Sequence, residues 1–433
     1  MKRFFKSMAA MAMFGLAISA TALDAKQVTV VLKHDPLVEP WLKTVVANYE
    51  KANPDIKVKL QIIGGAESDY YTKLVLMLKT DTNIDVIFED SFMLRNDVNA
   101  GILAPLPKVK DWNEWSNFFP SLQNAMTLDG QIYALPLSTD TRGLYYNTDI
   151  FKKAGIATPW SPKNWEDILS AARTIKEKVK GVSALSFAVG ATGEGTSMQT
   201  AEMFLYGTND TLYKDGKWII TSQGLLDSLK FIKTVYQDEK LGPNVAIAIN
   251  SQYGNKVVED LAPKQKVAII LDGNWVSGGW YDKHPDIAKL YQMTAMPTEF
   301  GQAPGHITMS GGWCLAVSQK SQNKEAALNF IEFALNKNNL LNYVKAVRNL
   351  STRKDVSEMT DYPEALKVAT SFLDFAQFRP AAESYPSVSM ALQQAVESVA
   401  TGQLTPEKAM TQYADNVTRA VGKDKVVSLP YKN

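Results

Sequence analysis

Short apolar segments alternate with longer amphipathic segments along this chain. A run of about four to eight apolar residues that is bounded by polar or turn residues predicts a buried β-strand. Because helical segments lie between these runs, the order of elements predicts an α/β fold. The predicted strands are 28–32, 56–63, 85–88, 132–137, 184–190, 266–271 and 313–318.

The helical segments have recognisable ends. In the segment 164–181, Asn164 can cap the first backbone amides and Gly181 follows the last apolar position. The segment 323–337 repeats the same apolar periodicity. The last ~45 residues predict helices alone, one of them starting at Thr405-Pro406. We interpret the apolar faces of these helices as parts of the hydrophobic core and not as a cofactor site.

The N-terminus has the pattern of a secretory signal peptide. Lys2, Arg3 and Lys6 precede an apolar run, and the run ends in small residues up to Ala22. A helix needs about 20 apolar residues to cross a bilayer, and this run is shorter. We therefore predict a signal peptide over 1–22 that is cleaved after Ala22, and hence an exported protein.

Composition restricts the partners. A chain of 433 residues is long enough for more than one domain. It has 46 Lys and Arg residues against 45 Asp and Glu residues, so its net charge does not favour nucleic acid or an anionic membrane surface. We expect a small or neutral ligand and no nucleic-acid partner.

The single cysteine and the three histidines restrict the chemistry. Cys314 is interpreted as a small buried residue, and with one cysteine we expect neither an intrachain disulfide nor a lipid anchor at the cleavage site. An exported protein that has neither a disulfide nor a lipid anchor is expected to be free in the periplasm. His34, His284 and His306 have no spacing suited to a metal site, so we expect no metal and no cofactor.

A polar tetrad at 139–142 interrupts two apolar runs, and it contains both a carboxylate and a guanidinium. We found no internal repeat and no Pro-rich or Ser-rich linker in the sequence. Two lobes would therefore be joined by short ordered segments, and the tetrad is the best candidate for one of them.

Five segments together resemble a known family. They are 85–106, 133–156, 266–280, 310–333 and 350–356, and they occur in the expected order along most of the chain. The chain resembles the extracellular solute-binding proteins of ABC importers, in the family 1 sugar-binding group that includes maltose-binding protein. The resemblance implies a two-lobed periplasmic-binding fold of type II, with a ligand cleft between the lobes.

The resemblance also implies where the lobes divide. Crossover segments are expected near 139–142, 295–298 and 351–354. On this division the N-terminal lobe comprises 23–139 with 296–351. The C-terminal lobe comprises 140–295 with 352–433.

Carboxylates and a guanidinium match paired sugar hydroxyls, and the resemblance places three such residues in the cleft. Asp140 stands where the maltose-binding relative has a sugar-contacting acid, and Asp90 matches the family's acid after the strand at 85–88. Both could instead satisfy turn amides. Arg142 is either a ligand contact or the ion-pair partner of Asp140.

The remaining site residues come from the same motifs. Aromatic rings can cover the C–H faces of a sugar, and two tryptophans match family positions for that role, with core packing as their alternative. Asp272 either contacts ligand or caps its turn. The further ligand-binding predictions are Asp35, Asp272, Trp275, Trp313, Arg348 and Tyr385.

The sequence departs from the maltose-binding pattern at Ser389, where the relative has a stacking tryptophan. This argues against maltodextrin bound in the same pose. The segment 190–260 has no counterpart among the matched motifs and is left unassigned, and its part 190–204 is a candidate for further cleft contacts.

The favoured function is a monomeric periplasmic receptor that delivers a neutral mono- or oligosaccharide to the permease subunits of an ABC transporter, without enzymatic activity. One alternative is a receptor for glycerol phosphate or an acidic sugar, which Arg142, Arg348 and His34 would favour. A weaker alternative is a secreted carbohydrate-active enzyme that uses Asp90 and Asp140 as an acid and base pair.

Overall fold

The structure, a computed structural model, describes residues 26–64, 67–80, 83–191, 193–382 and 384–432. The predicted signal peptide over 1–22 lies outside the described residues. Within the described ranges, no helix has the length and apolar character needed to span a membrane.

Strands and helices alternate over most of the chain, as the sequence predicts. The strands are β1 (Lys26–Lys33), β2 (Ile56–Ile63), β3 (Val86–Asp90), β4 (Thr127–Leu128), β5 (Gln131–Ile132), β6 (Ala134–Pro136), β7 (Arg142–Asn147), β8 (Ser183–Ser186), β9 (Tyr213–Lys214), β10 (Lys217–Thr221), β11 (Val267–Gly273), β12 (Tyr291–Thr294), β13 (Met296–Pro297), β14 (His306–Ser310), β15 (Trp313–Val317), β16 (Ala376–Phe378) and β17 (Val426–Ser428).

The helices fill the connections between these strands, and short 3-10 and π turns extend some of them. The α-helices are α1 (Val38–Ala52), α2 (Glu67–Thr80), α3 (Leu94–Asn99), α4 (Pro120–Ala125), α5 (Thr148–Ala154), α6 (Trp165–Lys178), α7 (Glu194–Thr196), α8 (Glu202–Gly207), α9 (Gln223–Lys233), α10 (Val245–Ala248), α11 (Trp275–Lys283), α12 (Pro285–Leu290), α13 (Lys324–Ala334), α14 (Lys337–Val347), α15 (Lys354–Ser357), α16 (Glu364–Ser371), α17 (Tyr385–Ala400) and α18 (Pro406–Val421).

The first lobe is built on a sheet with the strand order β2-β1-β3-β15-β6. β1 runs parallel to β2 and β3, whereas β15 runs antiparallel to β3 and β6. Val28, Val30, Val31 and Leu32 of β1 are all fully buried. A strand that is covered on both faces needs apolar residues at successive positions, which is why this segment reads as an unbroken apolar run.

The second lobe is built on a sheet with the order β12-β7-β11-β8. β7 is antiparallel to both β11 and β12, and β8 is parallel to β11. Every residue of β7 and β11 is buried. The structure is thus the two-lobed α/β architecture that the sequence predicts.

Most predicted elements are confirmed, with local differences. Asn164 caps α6 as expected, since its side chain accepts a hydrogen bond from the amide of Asp167 at 2.9 Å. The predicted strand 184–190 ends at Ser186. The prediction of helices alone at the C-terminus is wrong at β17, which pairs with β10 because β10 leaves an edge that a short extended tail can join.

The chain crosses between the two sheets in short connecting segments, which we call passages, and these segments meet at one place. The chain leaves the first sheet at Pro136 and enters the second at Arg142. Between β12 and β15 it returns through β13 and β14. Thr139 of the first passage pairs with Leu350 in an isolated antiparallel bridge, and its hydroxyl lies 3.2 Å from that of Ser310. Polar side chains on these passages therefore lie at the junction of the lobes.

Candidate functional site

Asp140 links two of the passages. Its Oδ1 accepts hydrogen bonds from Nη1 of Arg142 and, at 2.9 Å, from the amide of Gly311. Arg142 is 4% exposed and also donates to the carbonyl of Met309 at 3.3 Å. Asp140 and Arg142 are thus an ion pair at the lobe junction. This pairing is one of the two roles that the sequence left open for Arg142.

Asp90 forms a second ion pair at the junction. It lies at the end of β3, and its Oδ1 accepts a hydrogen bond from Nη2 of Arg379 at 2.7 Å. Burial raises the pKa of Asp90 above its ordinary value, although the positive charge of Arg379 opposes the shift. Arg379 also reaches Oε2 of Glu194, over 3.3 Å. Sequence reasoning missed Arg379, which follows the short strand β16.

A hydrogen-bonded chain continues from Glu194 to α17. The hydroxyl of Tyr385 lies 3.0 Å from Oε2 of Glu194 and 2.5 Å from Oε1 of Glu202. The hydroxyl of Ser389 lies 2.5 Å from Oε1 of Glu194. Gln393 donates to Ser389 at 3.0 Å. Ser389, at which the sequence departs from the maltose-binding pattern, is therefore part of a polar network.

Trp275 and Asp272 join this network through Arg142. The guanidinium carbon of Arg142 lies 4.9 Å from the ring centroid of Trp275, a cation–π distance. Burial raises the pKa of Asp272 to about 6, against the opposing effects of the Gly273 amide and Arg142. Its Oδ1 accepts a hydrogen bond from the amide of Gly273 at 2.7 Å, so Asp272 also caps its own turn.

A cavity of about 180 Å³ lies beside these two residues. It is bordered by Asp272, Trp275, Trp280, Glu259 and Lys283. Aromatic faces and a few polar groups are what a small polar ligand requires.

A larger groove of about 800 Å³ lies between α17 and α18, bordered by residues such as Glu397, Lys408 and Arg419. None of the predicted site residues borders this groove, so its size alone does not make it the better candidate.

Trp313 is held within the first lobe. Its ring stacks on Phe88 at 4.8 Å between centroids, with an interplanar angle of 22°. Nζ of Lys33 lies 5.4 Å from the same ring. Trp313 pairs with Asp90 in the register of β15 and β3. It therefore lies beside the junction while one of its faces is used for packing.

Asp35 and Arg348 have other described contacts. Oδ1 of Asp35 accepts hydrogen bonds from the amides of Leu37 and Val38, at 2.8 and 3.1 Å, and so caps the start of α1. The guanidinium of Arg348 lies 5.8 Å from the ring centroid of Tyr281 on α11.

Two acids of the candidate segment 190–204, Glu194 and Glu202, also join the network, although neither was named individually from the sequence. Glu202 is fully buried, and burial raises its pKa to about 7, while Tyr385 and both site arginines oppose the shift. A signal was present in the sequence, because Glu202 is a lone acid before the apolar run 203–205. Among the described residues, no group of three or more His, Cys, Asp or Glu side chains could hold a metal ion.

Residues 35–339 match the model of the bacterial extracellular solute-binding protein family. This chain belongs to that family. The family assignment confirms the resemblance found in the sequence.

Individual relatives are similar over most of their length. A Brucella abortus protein, named only as a proposed binding protein, is 24% identical over 412 residues, which are 94% of this chain and 95% of the relative. The lactose-binding protein of Rhizobium radiobacter is 24% identical over 329 residues, or 72% and 71% of the two chains. An ABC transporter solute-binding protein of Thermotoga lettingae, solved with α-D-tagatose, superimposes with a TM-score of 0.79 at 27% identity, covering 92% of this chain and all of that one.

Proposed function

We propose that this protein is the substrate-binding component of an ABC importer, and that it binds a neutral mono- or oligosaccharide at the junction of its lobes and delivers it to the membrane permease. The observation that carries the proposal is the buried polar network at the lobe junction. Its members are Asp90, Asp140, Arg142, Arg379 and Tyr385. The sugars bound by the lactose-binding and tagatose-bound relatives support the same ligand class.

The charges in the network favour a neutral ligand over an anionic one. Five acids, namely Asp90, Asp140, Glu194, Glu202 and Asp272, surround the arginines Arg142 and Arg379. Each of these two arginines is already paired with a carboxylate. A sugar phosphate or an acidic sugar would add negative charge beside these carboxylates, which disfavours the alternative that the sequence left open.

The division into lobes remains part of the proposal. We assign 23–139 with 296–351 to the N-terminal lobe and 140–295 with 352–433 to the C-terminal lobe. The meeting of the passages at Thr139, Ser310 and Leu350 supports a hinge there, since a few residues in connecting segments can absorb the change of backbone angles on closure.

The proposal also covers location and chemistry. We assign the protein to the periplasm, as a monomer exported by a cleaved signal peptide and without a lipid anchor. Its role is binding without turnover and without a cofactor. The family of extracellular solute-binding proteins to which the chain belongs supports a location outside the cytoplasm and a role in binding.

A thermal-shift screen tests the function. Lactose, maltose, mannobiose and D-tagatose are compared with sugar phosphates and with oligopeptides. A ligand at 100 times its dissociation constant adds about 2.7 kcal/mol to the free energy of unfolding, so the melting temperature should rise with a neutral sugar. Chromatography after long incubation should return that sugar unchanged. A rise with sugar phosphates or peptides alone, or recovery of cleaved sugar, would contradict the proposal.

A further inference from the structure

The cavity of about 180 Å³ beside Asp272 and Trp275 has two walls. One wall is a face of α11, and the other is the π-helical segment Asn255–Leu261. Nε1 of Trp280 donates a hydrogen bond to the carbonyl of Val258 at 2.7 Å and so joins the two walls. Short π-helical segments occur frequently at functional sites, so this wall is a reason to ask what the cavity holds.

Asp272 presents a hydrogen-bond acceptor to this cavity. The residue is 3% exposed, and its Oδ1 is used by the amide of Gly273 at 2.7 Å. Among the described residues, none donates a hydrogen bond to Oδ2, and Oδ2 is not one of the fully enclosed polar atoms that lack a partner. Since Asp272 borders the cavity, Oδ2 is open to it with its lone pairs available.

Trp275 presents a hydrogen-bond donor to the same cavity. Its ring packs directly over Gly273, and the guanidinium carbon of Arg142 lies 4.9 Å from the ring centroid. These contacts fix the ring and connect the cavity with the lobe junction. In the described part of the chain no group accepts a hydrogen bond from the indole N–H, and the side chain is half-buried and borders the cavity. The cavity thus has an open donor and an open acceptor beside an aromatic ring.

Two adjacent glycines in the middle of α11 differ in their surroundings. A β-carbon at Gly278 would lie 2.7 Å from the carbonyl oxygen of Arg348, so the close approach of that backbone requires a glycine. A β-carbon at Gly279 would have no atom within 4 Å, and Gly279 borders the cavity. Glycine inside a helix costs about 0.5–1 kcal/mol relative to alanine. Because packing does not require Gly279, the space that it leaves open is the remaining reason for it.

We propose that this cavity is the binding subsite for a single sugar ring, and that the protein prefers a neutral monosaccharide to longer sugars. One ring hydroxyl donates to Oδ2 of Asp272, and another accepts from the indole N–H of Trp275. The aromatic surface of Trp275 covers the C–H groups of the ring. This inference rests on the proposed function and narrows its ligand class.

The volume of the cavity limits the ligand to one ring. At ~30 Å³ for each water molecule, about 180 Å³ is room for about six waters. Pockets for drug-sized ligands usually measure ~300–1,000 Å³, so this cavity is small. It accommodates one hexose with its hydroxyl groups, whereas two linked rings need about twice that volume.

An ion pair at the rim restricts the opening. Nζ of Lys283 on α11 lies 2.8 Å from Oε1 of Glu259 on the π-helical segment, and both side chains are about half exposed. Both residues border the cavity, so the pair spans from one wall to the other. A second sugar ring attached to the bound one would have to pass this pair.

Calorimetric titration tests the size of the ligand. Each disaccharide is compared with a monosaccharide that it contains: lactose with D-galactose, maltose with D-glucose, and mannobiose with D-mannose. D-Tagatose is added to the set. The best monosaccharide should bind at least about tenfold more tightly than any disaccharide, because a second ring overfills the cavity.

Gly279→Leu tests the cavity itself. Helical side chains lean towards the residues three and four positions earlier, here Val276 and Trp275, and both border the cavity. The leucine should therefore occupy the ring position and lower the affinity for the best monosaccharide by about tenfold or more. Leucine is a better helix former than glycine, so the melting temperature of the ligand-free protein should not fall. Ala47→Leu is the control, because it adds the same side chain to an exposed position of α1, and it should bind as the unmodified protein does.

The outcomes separate the two proposals. If a disaccharide binds as tightly as the best monosaccharide, or if Gly279→Leu keeps full affinity, the single-ring subsite is wrong while the proposed function stands. If no sugar binds to the unmodified protein, the proposed function fails, and the inference fails with it. The comparison of sugars on the unmodified protein decides the question even if Gly279→Leu does not fold.

Discussion

Arg379 donates a hydrogen bond to Asp90 over 2.7 Å, and this bond joins the end of β3 in the first lobe to the segment after β16. β16 pairs with β14, which leads from the second sheet towards the first. The guanidinium of Arg379 also lies 4.5 Å from the ring centroid of Phe92. A side chain that lay outside every sequence motif thus holds the lobe junction together.

Arg379→Met tests this bridge. Removing one partner of a buried ion pair leaves the other charge uncompensated, and we expect the free energy of unfolding to fall by about 3–5 kcal/mol. Urea unfolding of the ligand-free protein measures the change. Adding Asp90→Asn should recover much of the loss, because the unpaired charge is then gone. Lys108→Met, which breaks an exposed pair with Glu325, should leave stability nearly unchanged. Equal effects of Arg379→Met and Lys108→Met would show that the bridge contributes nothing.

Asp140→Ala should weaken binding and also destabilise the ligand-free protein. A charge-assisted hydrogen bond is worth ~1.5–3 kcal/mol, so affinity for the sugar should fall about ten- to 150-fold. The ligand-free melting temperature should fall because Arg142 loses its partner and the Gly311 amide loses its acceptor.

The control for Asp140 is Asp361→Ala, which removes the exposed partner of Lys367. It should change neither quantity. A lowered melting temperature of Asp140→Ala with an unchanged dissociation constant would make Asp140 a structural residue of the hinge and remove it from the ligand site.

Gly273→Ala should displace Trp275. A β-carbon at Gly273 would lie 2.0 Å from the indole ring, so the ring must move away from its place beside Arg142. Overpacking of this kind costs about 1–3 kcal/mol. We expect weaker sugar binding and an altered tryptophan emission spectrum. Gly254→Ala is the matched control, since Gly254 borders the same cavity and a β-carbon there has open space. If both variants bind alike, Trp275 is not a ligand contact.

Glu89→Gln should change how stability depends on pH. Burial and the neighbouring Asp97 raise the pKa of Glu89 well above its ordinary value. The unfolded chain therefore loses this proton first, and stability falls as pH rises from about 4.3 towards the folded-state pKa. Glutamine cannot ionise, so the variant should gain stability relative to the unmodified protein at about pH 8 and little at about pH 4. Chemical unfolding at the two pH values measures this, and an equal change at both would contradict it.

Much of the fold could be predicted because local patterns reflect burial directly. The runs at 28–32 and 266–271 lie in central strands whose two faces are covered, so their composition alone identifies them. Cys314 is fully buried, as its apolar surroundings in the sequence predict. The end of β8 could not be predicted in this way. The apolar run 184–190 continues after Ser186, where the strand ends, and only the neighbouring elements set that end.

The α/β class and the family followed from the sequence alone, because periodicity and motif order are properties of the chain. The sequence also identified the carboxylate and the guanidinium of the tetrad at 139–142, but it left open whether they pair with each other. Three-dimensional packing was needed to show that Asp90 faces Arg379, that the hydroxyl of Tyr385 lies between two acids, and that Trp313 uses a face for packing. Glu202 and Tyr385 are 183 residues apart in sequence. Their contact depends on how α8 and α17 pack, and long-range packing leaves no periodic signal in either segment.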